Sequence, residues 1–370
     1  MKHSITFLPL FMCLSLQLAC SGGENRDGAD APPDVTPDEP VPDLMDLTDL
    51  PDGPDVVTDV ADAPPDADAA DPPGEPDVED GTDTEAAWRP FADTSIWNTP
   101  IAPDAPIHAG SDGMIAYLAA HGSWSINGIE WAWSIPLYFS GDADPLQNTC
   151  SGSLGTFPLH IPAGAFPSPD SDADFAVVDR LTTPWTVFSA WSTSLGGDPG
   201  CDYTSEAAGW LPDDGDGLAM EGWGGRATGW SYVAGLIRPE EILQGSIDHA
   251  LVFAMSDCKA DEFWWPARWG DGRSSDPNAI PQGARVQLDP AVEIGSLGLA
   301  PGGEVIARAL QVYGAFLGDT SGGSVLYAQE FLMPDGSCCD AAPWAGALAP
   351  GDIEGLPLDR LRVLEPPEPP

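Results

Sequence analysis

Apolar positions along the chain follow three regimes. Residues 5–18 are almost continuously apolar behind Lys2 and His3, the length of a signal-peptide core and too short for a membrane helix. Residues 24–85 hold 22 acids, 12 prolines and no aromatic residue, so no periodic apolar face can form there. From Trp88 onward the apolar patches are short, β-branched or aromatic, at 129–139, 175–178, 185–191, 247–255, 285–288 and 325–327. Turn clusters such as Gly196-Gly-Asp-Pro-Gly200 and Asp213-Asp-Gly-Asp-Gly217 separate them, the pattern of a strand-rich domain. Three stretches carry a helical period: 111–121, 238–244 and 301–313, the last with Val305, Ile306, Ala309, Leu310 and Tyr313 on one face. The expected class is mainly β, an antiparallel β-sandwich of jelly-roll type with a few peripheral helices, preceded by a disordered acidic tether.

The expected organisation follows from these regimes: a signal peptide over 1–19, a lipidated cysteine and Asp/Pro-rich tether over 20–86, a globular domain over 87–363 and a short tail over 364–370. Leu18-Ala19-Cys20 is similar to a bacterial lipobox, which would make Cys20 the lipidation site. The chain is then exported to the cell envelope as an outer-membrane or cell-surface lipoprotein that meets the membrane through its lipid anchor only. Asp43, Asp46, Asp49, Asp52 and Asp55 recur every third residue, in step with an extended polyproline-like spacer.

Charge removes some function classes. With 59 acids against 13 Lys and Arg, the formal net charge is −46, and a surface that negative is not drawn to a phosphate backbone, so no nucleic-acid partner is expected. Five cysteines remain in the domain. Export predicts two disulfides and one thiol, with Cys150 and Cys201 as the expected pair, and Cys338 and Cys339 each available to a more distant partner. No Cys-x-x-Cys spacing exists, and the sequence calls for no metal and no cofactor. The alternation of Asp170, Asp172 and Asp174 suits Ca²⁺ as a structural ion, but Phe175 stands where a calcium loop needs glycine. Serine-esterase, nucleotide-binding and dinucleotide motifs are lacking.

The remaining chemistry points to sugars. Glu221 is flanked by glycines that would let a ligand approach the backbone, and Trp223, Trp230 and Trp269 offer faces for sugar stacking beside Arg226 and Arg268. Asp248 and His249 at the head of an apolar strand, with Asp271, complete a set of acid and base groups. The expectation is a domain that binds a polysaccharide and cleaves it as a glycosidase or lyase, with Glu221, Asp248, His249 and Asp271 catalytic. A non-catalytic glycan- or protein-binding module and a structural envelope lipoprotein are the alternatives.

Four stretches resemble a family of secreted proteins from actinobacteria and other bacteria. They are Ser95-Ile-Trp-Asn-Thr-Pro-Ile101; Ile161-Pro-Ala-Gly-Ala165 with Ala176-Val-Val-Asp179; Gly235-Leu-Ile-Arg-Pro-Glu-Glu241 with Ile247-Asp-His-Ala-Leu251; and Gly283-Ala-Arg285 through Tyr313-Gly314 to Asp319. The resemblance implies export and carries no named activity. This chain departs from the pattern at Asp174, where relatives tend to have His, and at Val187, where an acid is usual. If those positions form the family's catalytic pair, the pair is altered here.

Overall fold

The computed structural model describes residues 88–369; the signal peptide, Cys20 and the tether lie outside the described residues. The domain is mainly β, with two multi-stranded sheets and few helices. Its strands are β1 (Ser125–Asn127), β2 (Ile135–Phe139), β3 (Leu146–Ser151), β4 (Gly155–His160), β5 (Phe175–Asp179), β6 (Thr186–Leu195) and β7 (Tyr203–Pro212). They continue with β8 (Glu221–Gly222), β9 (Leu251–Met255), β10 (Arg285–Leu288), β11 (Ala315–Thr320), β12 (Val325–Tyr327), β13 (Gln329–Glu330) and β14 (Leu361–Val363).

One sheet runs β1-β12-β9-β11-β10-β14, the other β13-β2-β5-β6-β7-β3-β4, with β8 added along β7. Pairing is mixed. The long β6–β7 ladder is antiparallel, but β2 lies parallel to β5, β3 to β7 and β9 to β11. Long connections, some of them helical, make this possible, since parallel neighbours cannot be joined by a tight hairpin.

Alternation decides which side chains meet between the sheets. Ala176, Val178, Val187 and Leu211 project from the larger sheet onto Val252, Ala254, Phe316, Val325 and Tyr327 of the smaller, sealed by Trp97 and Trp230. Val187 is therefore a core residue paired with Val178, which explains an aliphatic side chain there. The opposite face of the smaller sheet is covered by helices α1 (Ser111–Ala120) and α3 (Pro301–Val312), which bury Leu118, Val305, Ile306 and Leu310 as the helical period predicts. A short helix, α2 (Pro239–Gln244), ends on Gly245 in the left-handed conformation.

Cys150 and Cys201 are bonded, with Cα atoms 5.9 Å apart, tying β3 to the loop before β7. Cys338 and Cys339 are bonded to each other, not to distant partners as the sequence suggested. The remaining thiol, Cys258, is buried against the carbonyls of Met255 and Asp319, so it offers neither of them a partner. Past β14 the chain stays attached briefly, through Leu364 paired with Ile107 and the Glu365 N–H on the Pro106 carbonyl.

Most segments that carry the resemblance hold the fold together. The Asn98 amide donates to the carbonyls of Pro90, Phe91 and Ala92, and the Trp97 indole donates to Gly217. Arg285 donates to the carbonyls of Tyr313 and Thr99.

Candidate functional site

The two sheets bring ionisable groups together at one end of their interface. Asp174 immediately precedes β5 and shares the inward face of Ala176, while Asp319 near the end of β11 sits opposite Ala254 of β9 on the smaller sheet. A register shift between Leu317 and Asp319 turns the aspartate inward. Between them lie Tyr232, Tyr327 and Arg226. The Tyr232 hydroxyl donates to Asp174 and lies 3.0 Å from the Gly225 carbonyl. A Cβ at Gly225 would overlap the Tyr232 ring, so only glycine allows this packing.

Arg226 is 3% exposed, with its guanidinium carbon 4.2 Å from the centre of the Tyr327 ring and 5.4 Å from that of Tyr232. Such stacking favours a cation in a desolvated place. Its Nη2 reaches the Tyr232 carbonyl at 3.5 Å, while Nε and Nη1 have no hydrogen-bond partner among the described residues. Buried donors left in this state are rare and costly.

The electrostatics follow from burial and crowding. Burial pushes the Asp319 carboxyl up to about 7; Arg226 opposes the shift, Asp271 adds to it, and the N–H groups of Thr320 and Ala227 offset part. Asp174 is held well above the usual carboxylate range, chiefly by burial and then by Asp170, Asp172 and Asp319, despite the Tyr232 hydrogen bond. Burial and the same carboxylates push Tyr232 and Tyr327 well above 10, so both phenols keep their protons. Asp271 reaches the group through Thr320, whose hydroxyl donates to it at 2.8 Å, and is fixed by Gln282 at 2.7 Å.

The loop before β5 carries the acids outward. Asp170 accepts the N–H groups of Asp172 and Ala173, the Ser168 hydroxyl and the Trp133 N–H, so it staples this loop. Asp172 is half-buried and raised by burial and by Asp170, with the Trp191 side chain offsetting part. Ser168 also donates to Glu330, a buried carboxyl pushed up to about 7 by desolvation. Among the described residues, the grouping with metal-ligand spacing is Glu330 with Cys338 and Cys339, whose sulfurs are bonded to each other.

Three tryptophans of the neighbouring loops and strands are exposed. Trp133 is 50% exposed, Trp191 36% and Trp223 57%. The Trp133 backbone N–H donates to Asp170, and the Trp223 N–H donates to the Ala208 carbonyl, next to the residue that pairs with Trp191.

Of the residues singled out from sequence, Arg226 and Asp271 belong to this group. Glu221, Trp223, Arg268 and Trp269 form its outer edge: Arg268 donates to the Met220 and Gly222 carbonyls, stacks on Trp269 at 4.5 Å and feels Glu221. The glycine beside Glu221 serves the sheet, because Gly222 has φ 84° and a Cβ there would strike the Ala208 carbonyl. Two assignments are corrected. Trp230 is 1% exposed and donates to the Pro266 carbonyl, so it is core and not a stacking face. Asp248 and His249 precede β9, at the opposite end of that strand from Asp319. His249 is buried, donating to Glu241 at 2.9 Å, while Arg238 binds the same carboxylate. Burial alone would raise Glu241, yet His249 and Arg238 bring it down to about 2, the signature of a structural ion cluster.

Sequence reasoning missed Asp174, Asp319, Tyr232 and Tyr327 as one group. It also missed His160, which faces Asp179 at 2.9 Å near the far end of β5. A cavity of about 160 Å³ lies elsewhere again, between Ile101, Arg285, Phe316 and the C-terminal prolines. In comparisons with family models, curated proteins and solved structures, nothing matches this chain.

Proposed function

We propose that the domain binds a polysaccharide and hydrolyses it by carboxyl acid–base chemistry where the two sheets meet. The observation that supports this reading is the convergence of Asp319, Asp174, Asp271 and Arg226 in a domain that also exposes Trp133, Trp191 and Trp223. A glycosidase needs one carboxyl that still holds a proton near neutrality and a second that is ionised. Asp319, at about 7, suits the acid, and Asp271, exposed and joined to it through Thr320, is the candidate for the second carboxyl.

Hydrolysis fits better than lyase chemistry. The glycosidase transition state gathers positive charge on the sugar, which a ring of carboxylates favours. A lyase develops negative charge and needs a base, whereas here one arginine faces several acids and both tyrosines are pushed up. Incubation of the protein with bacterial, plant and algal polysaccharides should release reducing ends, and Asp319→Asn should abolish the release. Absorbance of an unsaturated uronate product instead would favour the lyase; binding without any release would favour a non-catalytic module.

The same proposal includes placement. We infer that Cys20 is lipidated and that the acidic stretch spaces the domain from the envelope surface, because Leu18-Ala19-Cys20 follows an apolar run of signal-peptide length. Metabolic labelling with a fatty-acid probe should mark the protein, and Cys20→Ala should remove the label; a mutant that stays labelled refutes it.

A further inference from the structure

We propose that Cys338, Cys339 and Glu330 form a redox-controlled site for a thiophilic divalent cation of the zinc class, closed while the two sulfurs are bonded and opened by a thiol reductant. The site is independent of the glycan reading above. Its three donor atoms, one from each residue, lie within 4.8 Å of one another, and Glu330 Oε1 is 3.9 Å from the Cys339 sulfur. A tetrahedral zinc ion, with sulfur at about 2.3 Å and carboxylate oxygen at about 2.1 Å, holds such a pair about 3.6 Å apart. Local structure keeps the donors there. After β13 the chain turns back on itself: Leu332 pairs with Cys338, the Met333 N–H donates to the Ser337 carbonyl and the Asp340 N–H to that of Phe331. This hairpin returns both cysteines to the side of Glu330. They are half-buried, so solvent reaches the sulfurs and a fourth position is left for water or a ligand.

The charge around Glu330 supplies an independent observation. Glu330 is 1% exposed, and among the described residues no basic side chain is in ion-pair contact with it. Its Oε2 is 2.8 Å from the Ser168 hydroxyl, which is also 2.9 Å from Asp170. That hydroxyl has one proton for two carboxylates. A buried carboxylate short of both donor and cation is costly, and a divalent ion at Oε1 supplies the charge while Ser168 orients the ligand from behind. Two sulfurs select a soft ion over Ca²⁺.

The chemistry balances in two steps. A pair of small thiols passes two electrons and two protons to Cys338 and Cys339 and leaves as its own disulfide. The cation then displaces both cysteine thiol protons to solvent and bonds to the two thiolates and to the Glu330 carboxylate.

Titration of the full-length protein with Cd²⁺ tests this, after reduction with dithiothreitol and its removal under nitrogen, with the ultraviolet thiolate-to-cadmium charge-transfer band as readout. Reduced protein should gain one Cd²⁺ site that oxidised protein lacks, and about a hundredfold excess of Ca²⁺ should leave it occupied. The double variant Cys338→Ser/Cys339→Ser keeps Cys150, Cys201 and Cys258 and should lose the site; an undiminished band assigns the metal to those other cysteines and overturns the proposal. Glu330→Gln should weaken Cd²⁺ at least about tenfold, and Ser168→Ala, which keeps all three donors, about tenfold. Unchanged affinity in Glu330→Gln, or in Ser168→Ala where the first variant does not fold, shows a dithiol without its carboxylate and overturns the three-donor site. Equal binding before and after reduction, or none by the reduced protein, overturns it as well.

Discussion

Asp319→Asn separates what the site does from what holds the fold. The wild-type carboxyl is pushed from its ordinary 3.8 to about 7, so the folded state keeps a proton that the unfolded chain releases. An acid with a raised pKa contributes fully below its unfolded value and loses that contribution as pH climbs through its folded one. The window is therefore about pH 4 to 7. A shift of this size corresponds to about 4 kcal/mol if nothing screens the charge. Asp319 keeps partial contact with solvent, so about 2 kcal/mol is the expected share. The amide has nearly the same shape and never ionises. Against wild type, Asp319→Asn should be about equally stable at pH 4 and about 2 kcal/mol more stable at pH 8, while losing polysaccharide cleavage. Urea unfolding followed by tryptophan fluorescence at both pH values measures the difference. A variant less stable than wild type at pH 8, with the same pH profile, would show that Asp319 is an ordinary satisfied carboxylate and would remove the acid from the mechanism.

Other perturbations test separate parts of the structure. Replacing Cys150 and Cys201 by alanine opens a crosslink with a sequence separation of 51 and should cost about 4 kcal/mol in the chain-entropy description, read as a lower urea midpoint; an unchanged midpoint would deny the bond. Trp230→Ala should cost about 3 to 5 kcal/mol as a core truncation, whereas Trp223→Ala, at 57% exposure, should shift stability by less than about 1 kcal/mol and weaken glycan binding. Glu241→Gln leaves Arg238 and His249 facing an amide and should cost about 3 to 5 kcal/mol at neutral pH. That loss should shrink on acidification below about pH 4.5, because wild-type Glu241, lowered from 4.5 to about 2, loses its own contribution there; a pH-independent loss would refute the ionic account.

The parts of the fold legible in the sequence are those fixed by short-range pattern. The face formed by Val305, Ile306, Ala309 and Leu310 gave α3, Pro239 with Glu240 and Glu241 gave α2, and the β-branched runs gave β5, β9 and β12. Sheet order was not legible. Parallel pairs such as β9 with β11 join residues some sixty positions apart, and no local signal marks which strands meet. For the same reason Asp248 and His249, adjacent to a strand and chemically apt, read as a site although His249 is buried against Glu241 across a turn. The partner that holds it there is itself a charged residue, and charged residues read as exposed by default.

The acid site was hidden by its own construction. Its members come from the loop before β5, the segment 225–232, β11 and β12, and each alone has an ordinary reading. Asp174 stands in a run of surface-like aspartates, Tyr232 and Tyr327 in core-like strings, and Asp319 before a turn. What sets them apart is the cost of their arrangement. Two desolvated carboxyls and two phenols share one arginine whose Nε and Nη1 are unsatisfied, a grouping that lowers stability wherever ligand is absent. Folded chains retain such a cost where it serves chemistry, and its place at the sheet interface explains why packing can enforce it. Both sheets are fixed by the core of Val252, Phe316, Val178 and Val187, so neither Asp174 nor Asp319 can retreat to solvent without dragging a strand with it.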